Sequence, residues 1–270
     1  MRLCTVQTIF VPNEVMLQRQ LRSLRSQLTA LPHVDRYYAG WCALASYWEA
    51  IDGEMARLRP RAVHRQSHNW GKARNVNEVA AALDADAYDA MLTMDSDIVF
   101  RSDVPYVREL SQLYGALRPD VGVLALQQEE GCCHVLAQLP RQRDVAGHTL
   151  CWHDSGGGIA GGCLLVDLAF WRRIGGYRVM GVYAGDDAYI FQDARRHGAF
   201  FALVRTLPVI HPPDADASYG AWKCRTCTRD TTGTPCTAAE LRARSEEATQ
   251  FWRARAANAD APDECGGSMQ

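Results

Sequence analysis

Asp95 and Asp97 stand one residue apart after an apolar run, and this spacing is the clearest chemical signal in the chain. Residues 92–100 read LTMDSDIVF, and a short apolar run between turn-forming residues predicts a buried strand. An unpaired carboxylate costs several kcal/mol to bury, so the two aspartates call for a compensating positive charge. Mg²⁺ or Mn²⁺ bound to substrate phosphates would supply it, because these ions prefer oxygen ligands. The alternative is an exposed turn in which aspartate serves turn geometry.

A second candidate anion site lies in residues 66–75, QSHNWGKARN, where Gly71 is followed by Lys72 and Arg74. The apolar residues of 75–83 recur at helical spacing, so this basic loop leads into a predicted helix. Backbone N–H groups and the helix dipole favour an anion such as phosphate at a helix start. A solvated basic turn is the alternative.

The chain opens with a predicted strand over residues 3–11, followed by a predicted helix over 14–28. In open α/β sheets, ligands bind beyond the carboxyl ends of the strands. Val11, Pro12 and Asn13 are therefore candidates for contact with a nucleotide. A simple strand-to-helix turn is the alternative.

Strands and helices continue to alternate as far as residue 211, which predicts an α/β domain. We expect further strands at 34–44, 62–65, 121–126, 163–166 and 200–204, an extended segment at 207–211, and helices at 47–58, 104–117, 168–174 and 188–197. Asp167 is predicted to cap the helix at 168–174. Residues 127–155 lack a regular pattern, and we interpret them as a functional loop, an edge hairpin or a lid.

Gly161 and Gly162 end a glycine-rich run, residues 156–162, that precedes a predicted strand. Glycine permits the backbone to approach a ligand closely, with a flexible linker as the alternative. Asp186 and Asp187 come directly before the predicted helix at 188–197. Carboxylates are favoured at a helix amino end, so ordinary capping is the alternative to a catalytic role for this pair.

Composition narrows the class of protein. The chain has 270 residues, 47% of them apolar, and a formal net charge of −2, which predicts one large globular domain without a global attraction to nucleic acid. No apolar run approaches the ~18 residues of a membrane span and no signal-peptide pattern is seen, so we expect a cytoplasmic protein. Cys4, Cys42, Cys151 and Cys163 stand among apolar neighbours and are predicted to be reduced core residues.

Taken in order, these segments resemble nucleotide-sugar glycosyltransferases of the GT-A type, and most closely the inverting enzymes of family 2. The resemblance rests on Val11-Pro12-Asn13, HNWGKARN at 68–75, Asp95-Ser96-Asp97, GGCLLVDLAFWRRIGGY at 161–177, GDDAYIFQDARRHG at 185–198 and Val209-Ile210-His211. It implies a single GT-A (Rossmann-like) domain over residues 1–211, with a central, mostly parallel sheet flanked by helices.

The resemblance also implies roles for the matching positions. Asp95, Asp97 and His211 would hold Mg²⁺ or Mn²⁺ on the donor diphosphate. Asp187 would be the general base for the acceptor hydroxyl, with Asp186 beside it contacting the acceptor and Trp171 packing beneath the acceptor site. The nucleotide sugar would be bound by Val11, Pro12, Asn13, Asn69, Gly71, Arg74, Asn75, Asp95, Ser96, Asp97, Gly161 and Gly162.

This chemistry suits the residue types, although two positions depart from the family pattern. A cation stabilises the leaving diphosphate, a carboxylate takes the proton of the attacking hydroxyl, and direct displacement inverts the anomeric configuration. Asp186 stands where the family usually has glutamate. Residues 38–41 stand where an acidic residue usually contacts the nucleobase, with Asp35 as a weak substitute. A UDP-sugar is the expected donor, and this departure leaves the base open.

Residues 212–270 form a predicted helical extension that contains cysteines. Cys224, Cys227 and Cys236, with Cys265 as the fourth candidate, give a zinc half-site without a matching second pair, and unpaired thiols are the alternative. A helix is predicted at 237–255, and we expect it to cover the acceptor side of the catalytic domain. Residues 222–255 carry seven Lys and Arg against four Asp and Glu, which also fits an element that contacts an anionic acceptor.

We therefore expect a metal-dependent inverting hexosyltransferase that acts on a hydroxyl of a glycan, a lipid-linked precursor or a protein. One alternative is the same chemistry on hydroxymethylated bases of DNA. Another is a non-catalytic nucleotide- or zinc-binding module in which the acidic pairs are merely caps. A nucleotidyltransferase is disfavoured, because no glycine-rich, basic phosphate loop directly follows the first strand.

Overall fold

The computed structural model describes residues 1–84, 86–129, 139–156, 159–183, 186–213 and 236–257. The strands in these ranges are β1 (Leu3–Val11), β2 (Asp35–Cys42), β3 (Ala62–Arg65), β4 (Ala90–Met94), β5 (Val121–Glu129), β6 (Arg141–Val145), β7 (His148–Trp152), β8 (Cys163–Asp167) and β9 (Phe200–Ile210). The helices are α1 (Glu14–Ala30), α2 (Ala45–Leu58), α3 (Lys72–Ala82), α4 (Tyr106–Leu117), α5 (Leu168–Ile174), α6 (Asp186–Arg196) and α7 (Ala238–Ala257).

The strands form one sheet in the order β3-β2-β1-β4-β8-β5-β9-β7-β6. Strands β3, β2, β1 and β4 are parallel, as βα units require, whereas β8 is antiparallel to both β4 and β5. Strand β9 is parallel to β5, and the β6–β7 hairpin extends this side antiparallel to β9. Among the described strands, four neighbouring pairs are parallel and four are antiparallel, and seven of the nine strands run in one direction, with β7 and β8 opposed. The carboxyl ends of β1–β5 and β9 and the amino end of β8 share one edge.

Helices cover both faces of this sheet because their apolar residues recur at helical spacing. In α4 the buried side chains are Tyr106, Leu110, Leu113, Tyr114 and Leu117, which form one stripe against the β4, β5, β8 and β9 face. Helices α3, α5 and α6 pack on the opposite face. All five residues of β4 and all five of β8 are buried, which explains their unbroken apolar sequences.

Several elements match their predictions. Strands β1 and β3 and helix α5 have the predicted bounds, and the Asp167 side chain accepts a hydrogen bond from the Phe170 backbone N–H as the predicted cap. Cys4, Cys42, Cys151 and Cys163 are buried and free, as predicted. Burial raises the pKa of the Cys4 thiol to about 12, so it stays protonated and behaves as a small apolar side chain.

Strand β4 ends at Met94, directly before the two aspartates as expected, and Val99 beyond them forms an isolated antiparallel bridge with Ile210. Other elements differ from their predictions. Helix α3 begins three residues early, at Lys72. The segments expected separately at 200–204 and 207–211 form one strand, β9, with a register shift against β5.

The irregular region 127–155 contains an edge hairpin, which was one of its three interpretations. Strands β6 and β7 form it, and His148 fixes it to the body of the protein. The His148 imidazole contacts Thr206 Oγ1 at 2.8 Å and Glu109 Oε2 at 3.1 Å.

Among the helices in the described ranges, none combines the length and apolar character that crossing a membrane requires.

Candidate functional site

The Asp95-Ser96-Asp97 turn lies at the sheet edge where the strand carboxyl ends meet, directly after β4. Two backbone contacts hold it from either side. The Asp95 N–H donates to the Gly162 carbonyl at 2.8 Å, and Val99 exchanges two hydrogen bonds of 2.9 Å with Ile210. These contacts bring the predicted metal-binding turn next to the glycine run and to the end of β9.

A buried polar network supports the same turn from below. Gln7 Nε2 donates to the Asp95 carbonyl at 3.0 Å and to Ser23 Oγ at 2.7 Å. The Ser23 hydroxyl in turn donates to the Ile98 carbonyl, and Gln27 Nε2 donates to Gln7 Oε1 at 2.7 Å. Gln7, Ser23 and Gln27 are fully buried. The turn is therefore held by satisfied hydrogen bonds in a low-dielectric interior, where such networks give rigidity.

Asp97 and His211 form the central pair of the site. His211 Nε2 lies 3.3 Å from Asp97 Oδ1, and His211 Nδ1 lies 2.9 Å from Gln128 Oε1. Burial lowers the pKa of His211, but its hydrogen bond to Asp97 and the charges of Asp97 and Asp95 outweigh that effect, so the pKa is raised. A doubly protonated imidazole satisfies both acceptors. Arg19 adds a second cation, 3.7 Å from Asp97 Oδ2.

Asp95 is paired with a different cation. Lys72 Nζ lies 2.7 Å from Asp95 Oδ1 and donates to the Gly161 carbonyl at 2.7 Å. From its place in a basic loop, Lys72 is predicted to approach phosphate. The contact of Lys72 with Asp95 is not evident from the spacing of the two residues in the sequence. Across the residues that the structure describes, no three His, Cys, Asp or Glu side chains converge as a metal cluster. In the structure, Asp97 thus pairs with His211, and Asp95 forms a separate ion pair with Lys72.

At Gly162 the backbone approaches the side chains of Gln128 and Asp95 closely. A Cβ atom at Gly162 would lie 2.6 Å from Gln128 Nε2 and 3.3 Å from Asp95 Oδ2. Only glycine therefore fits between the two side chains without moving them. Gln128 Nε2 is buried without a hydrogen-bond partner among the described residues. Gln128 was not a predicted site residue, although a glutamine near the end of an apolar strand is a signal that would have found it.

The loop before α3 and the first turn of that helix carry three of the predicted nucleotide-binding residues, Asn69, Gly71 and Asn75. Asn69 is buried, its Oδ1 accepts from the Gly71 N–H at 3.2 Å, and its Nδ2 has no partner among the described residues. Asn75 is also buried, and its Oδ1 likewise has no partner in that set. Gly71 has a φ of +78°, and a Cβ atom there would lie 2.0 Å from the Val182 carbonyl oxygen. Backbone conformation and close packing both require glycine at this position.

Arg74 is held by two neighbours, Trp70 and Glu78. Its guanidinium lies 3.8 Å from the centre of the Trp70 ring, and its Nε lies 3.0 Å from Glu78 Oε1. Stacking of this kind favours a fixed orientation for the guanidinium. Contact between Arg74 and a nucleotide remains a prediction.

The residues at the end of β1 lead directly into the start of α1. Val11 is buried, and Asn13 is the amino-terminal cap of α1, with Oδ1 accepting from the Met16 N–H at 2.9 Å. This is the geometry of a strand-to-helix turn. Contacts of Val11, Pro12 and Asn13 with a nucleotide remain predictions.

The predicted acceptor residues lie in two helices, α5 and α6. The backbone places Asp186 and Asp187 at the amino end of α6. Trp171, in α5, is buried in the core, and its ring meets Tyr177 edge-on at 4.9 Å between centres. Its packing beneath the acceptor site remains a prediction. The candidate zinc ligands Cys224, Cys227 and Cys265 lie outside the described residues. Cys236 is partly buried just before α7.

The fold and the placement of these residues define an α/β fold of the GT-A glycosyltransferase type, as predicted from the sequence. A mannosyltransferase from Pyrobaculum calidifontis, PcManGT, solved with GDP-Man and Mn²⁺, matches with a TM-score of 0.59 and 13% identity over 99% of this chain and 76% of its own. GalNAc-T7, solved with UDP, GalNAc and Mn²⁺, matches with a TM-score of 0.56 and 11% identity over 77% of this chain and 43% of its own.

Residues 1–349 of S. aureus TarS match with a TM-score of 0.56 and 9% identity, over 94% of this chain and 73% of that one. The chain spans less than half the length of the GalNAc-T7 structure. No protein-family model and no curated protein matches the sequence. At identities this low, the structural matches establish the fold alone, and the function has to be argued from the site.

Proposed function

We propose that this protein is a divalent-metal-dependent glycosyltransferase that moves a sugar from a nucleoside-diphosphate sugar to an acceptor hydroxyl. The observation that carries the proposal is the pairing of Asp97 with His211, 3.3 Å apart beside Asp95 at the sheet edge. Two proteins of the same fold, PcManGT and GalNAc-T7, were solved with nucleotide and Mn²⁺. Their contents support a nucleotide-sugar donor here.

The side chains at this edge fit a divalent cation by their chemistry. Two carboxylates, Asp95 and Asp97, and one imidazole, His211, offer oxygen and nitrogen ligands, and carboxylate oxygens suit Mg²⁺ and Mn²⁺. Asp97 is only 7% exposed and neighbours two cationic side chains, Arg19 and His211. In the metal-free protein these two cationic groups offset the charge of the buried carboxylate, and a metal ion bound there would take their place. When bound, the ion would act as a Lewis acid on the donor diphosphate.

Asn69 and Asn75 are proposed to bind the nucleotide. Each has a buried amide atom without a partner among the described residues, Nδ2 of Asn69 and Oδ1 of Asn75. Leaving such a group unsatisfied costs about 1–3 kcal/mol, so a ligand that supplies the missing hydrogen bonds gains that energy on binding. A nucleotide offers both donors and acceptors. A UDP-sugar is the proposed donor.

The acceptor side is proposed to begin at the amino end of α6. Asp187 would take the proton of the acceptor hydroxyl as it attacks the anomeric carbon, and Asp186 would hold the acceptor. A single base acting in a direct displacement inverts the anomeric configuration. Gly161 and Gly162, whose backbone faces Lys72 and Asp95, would let the sugar lie close to the main chain.

A donor screen tests the proposal. The protein is incubated with a panel of nucleotide sugars and Mn²⁺, and release of nucleoside diphosphate is followed with and without a chelator. We expect release from one donor, loss of release with chelator, and a fall of about 100-fold or more in Asp97→Asn, since this variant loses a proposed direct ligand. Asp103→Asn is the matched control, because Asp103 is an exposed aspartate six residues away that pairs with Arg101.

Two results would contradict the proposal. One is nucleotide release that is indifferent to both chelator and Asp97→Asn. The other is a protein that neither releases nor binds any nucleotide in the presence of Mn²⁺, which would favour a non-catalytic module.

A further inference from the structure

The carboxyl-terminal helix α7 contacts the loop that carries Asn69. The Asn69 N–H donates to Thr249 Oγ1 at 2.8 Å, and the Ser245 hydroxyl donates to the Asn69 carbonyl at 2.7 Å. Both backbone groups of one loop residue are therefore satisfied by side chains of α7. Thr249 Oγ1 also donates to the Ser245 carbonyl at 2.7 Å, which orients its lone pairs towards the Asn69 N–H. A third contact joins Arg253 to the Ser67 carbonyl at 3.0 Å.

Apolar packing keeps α7 in this position. Trp252 is fully buried and meets Phe10 edge-on, with ring centres 6.1 Å apart, near the end of β1. Leu241 and Ala248 belong to the same apolar cluster, which also includes Val182. The helix therefore packs beside the loop that carries Asn69, and its covering of the acceptor side stays a prediction. Burial of side chains of this size contributes about 1.5–3 kcal/mol each.

The loop is enclosed from a second direction by residues 180–183, which lead towards α6. Gly71 packs directly on the Val182 carbonyl, and the Cys236 thiol contacts the Met180 carbonyl. Helix α7 thus contacts the loop of Asn69, and Cys236, two residues before the helix, contacts the segment that precedes the predicted base. These contacts leave the backbone of Asn69 little freedom.

We infer that Ser245 and Thr249 are positioning residues of the donor site. They fix the N–H and the carbonyl group of Asn69, and so fix the direction of its buried side-chain amide. The Nδ2 of this amide has no hydrogen-bond partner among the described residues. A site held in its binding conformation binds more tightly, because the ligand does not have to order it. The inference rests on the proposed function, since it takes the ligand of Asn69 to be a nucleotide. It makes α7 part of the donor site, whereas the sequence suggested a tail that covers or contacts the acceptor.

The test replaces one hydroxyl and then restores it. Thr249→Val keeps the shape of the side chain but leaves the buried Asn69 N–H unpaired, and Thr249→Ser returns the hydroxyl. We expect Thr249→Val to raise the Kd of a nucleoside diphosphate about tenfold in the presence of Mn²⁺, and Thr249→Ser to restore it. Mn²⁺ affinity without nucleotide should stay unchanged, because among the described residues Asp97 and His211 contact each other, Arg19 and Gln128, which lie outside α7. Ser245→Ala should behave like Thr249→Val.

Hydrogen exchange and a neighbouring control distinguish positioning from general damage. The Asn69 amide should exchange at least tenfold faster in Thr249→Val than in the unaltered protein, whereas exposed Gln250→Ala should match the unaltered protein in both assays. Unchanged nucleotide affinity or unchanged Asn69 exchange in folded Thr249→Val would overturn the inference and leave the proposed function standing. Absence of nucleotide binding by the unaltered protein would overturn both.

Discussion

Lys72 Nζ lies 2.7 Å from Asp95 Oδ1. The ammonium therefore pairs with a carboxylate oxygen that a divalent cation bound to Asp95 would use. An ammonium and a metal ion cannot share the same carboxylate oxygen without repulsion, so the two compete for Asp95. The lysine thus stabilises the carboxylate in the metal-free protein, where an uncompensated charge would be costly.

Removal of this lysine should strengthen metal binding in the absence of nucleotide. We expect Lys72→Met to lower the Kd for Mn²⁺ about threefold to tenfold, which corresponds to about 0.7–1.4 kcal/mol. Isothermal titration of the nucleotide-free protein with Mn²⁺ measures this change. Arg101→Met is the control, because Arg101 is also a cation paired with aspartate but lies on Asp103. Weaker Mn²⁺ binding in Lys72→Met would refute competition at Asp95.

A methyl group at Gly162 should disturb the site and the fold together. Its Cβ would lie 2.6 Å from Gln128 Nε2 and 3.3 Å from Asp95 Oδ2, so Gln128 must move and its hydrogen bond to His211 is strained. We expect Gly162→Ala to lower the free energy of unfolding by about 1–3 kcal/mol and to weaken Mn²⁺ binding. Urea denaturation and Mn²⁺ titration provide the two readouts.

The matched control is Gly115→Ala in α4. A Cβ atom there meets nothing within 4 Å, and alanine is the better helix former, so this variant should be about 0.5–1 kcal/mol more stable. Equal effects of the two substitutions would show that the close approach at Gly162 has no consequence.

Loss of the Ser23 hydroxyl should loosen the Asp95 turn from below. Ser23→Ala removes the donor to the Ile98 carbonyl and one acceptor of Gln7 Nε2, both in a fully buried setting. We expect a fall of about 1–3 kcal/mol in the free energy of unfolding, measured by urea denaturation, and weaker Mn²⁺ binding. Exposed Ser102→Ala should be neutral. A Ser23→Ala protein as stable as the unaltered one would remove the network from the account.

Much of the fold was readable from local patterns in the sequence. Strands β1 and β3 and helix α5 have short, well-bounded patterns, and Asp167 is a helix cap that its own spacing predicts. The place of residues 98–100 is not evident from the sequence, because they are as apolar as the strand that ends before them. They are buried by contact with β9, and the Val99–Ile210 bridge joins residues far apart in sequence.

The site was only partly predictable for the same reason. Asp95 and Asp97 are predicted from their spacing, and His211 and Asn69 from the family resemblance, but the pairing of Asp95 with Lys72 depends on where α3 begins. Gly71, directly before that start, packs on the Val182 carbonyl, which is a contact between distant segments. Ser23 and Gln27 escaped notice, although polar residues within the apolar stripe of α1 are a signal for a buried network.

The most direct test of the central claim is the Mn²⁺ dependence of nucleotide binding at Asp97. A nucleoside diphosphate is titrated into the protein with Mn²⁺ and with a chelator, and the same pair of titrations is run on Asp97→Asn. The account predicts binding by the unaltered protein that is lost with chelator and weakened about 100-fold in Asp97→Asn. Binding of equal strength in all four titrations would contradict a metal-dependent donor site at Asp97 and His211.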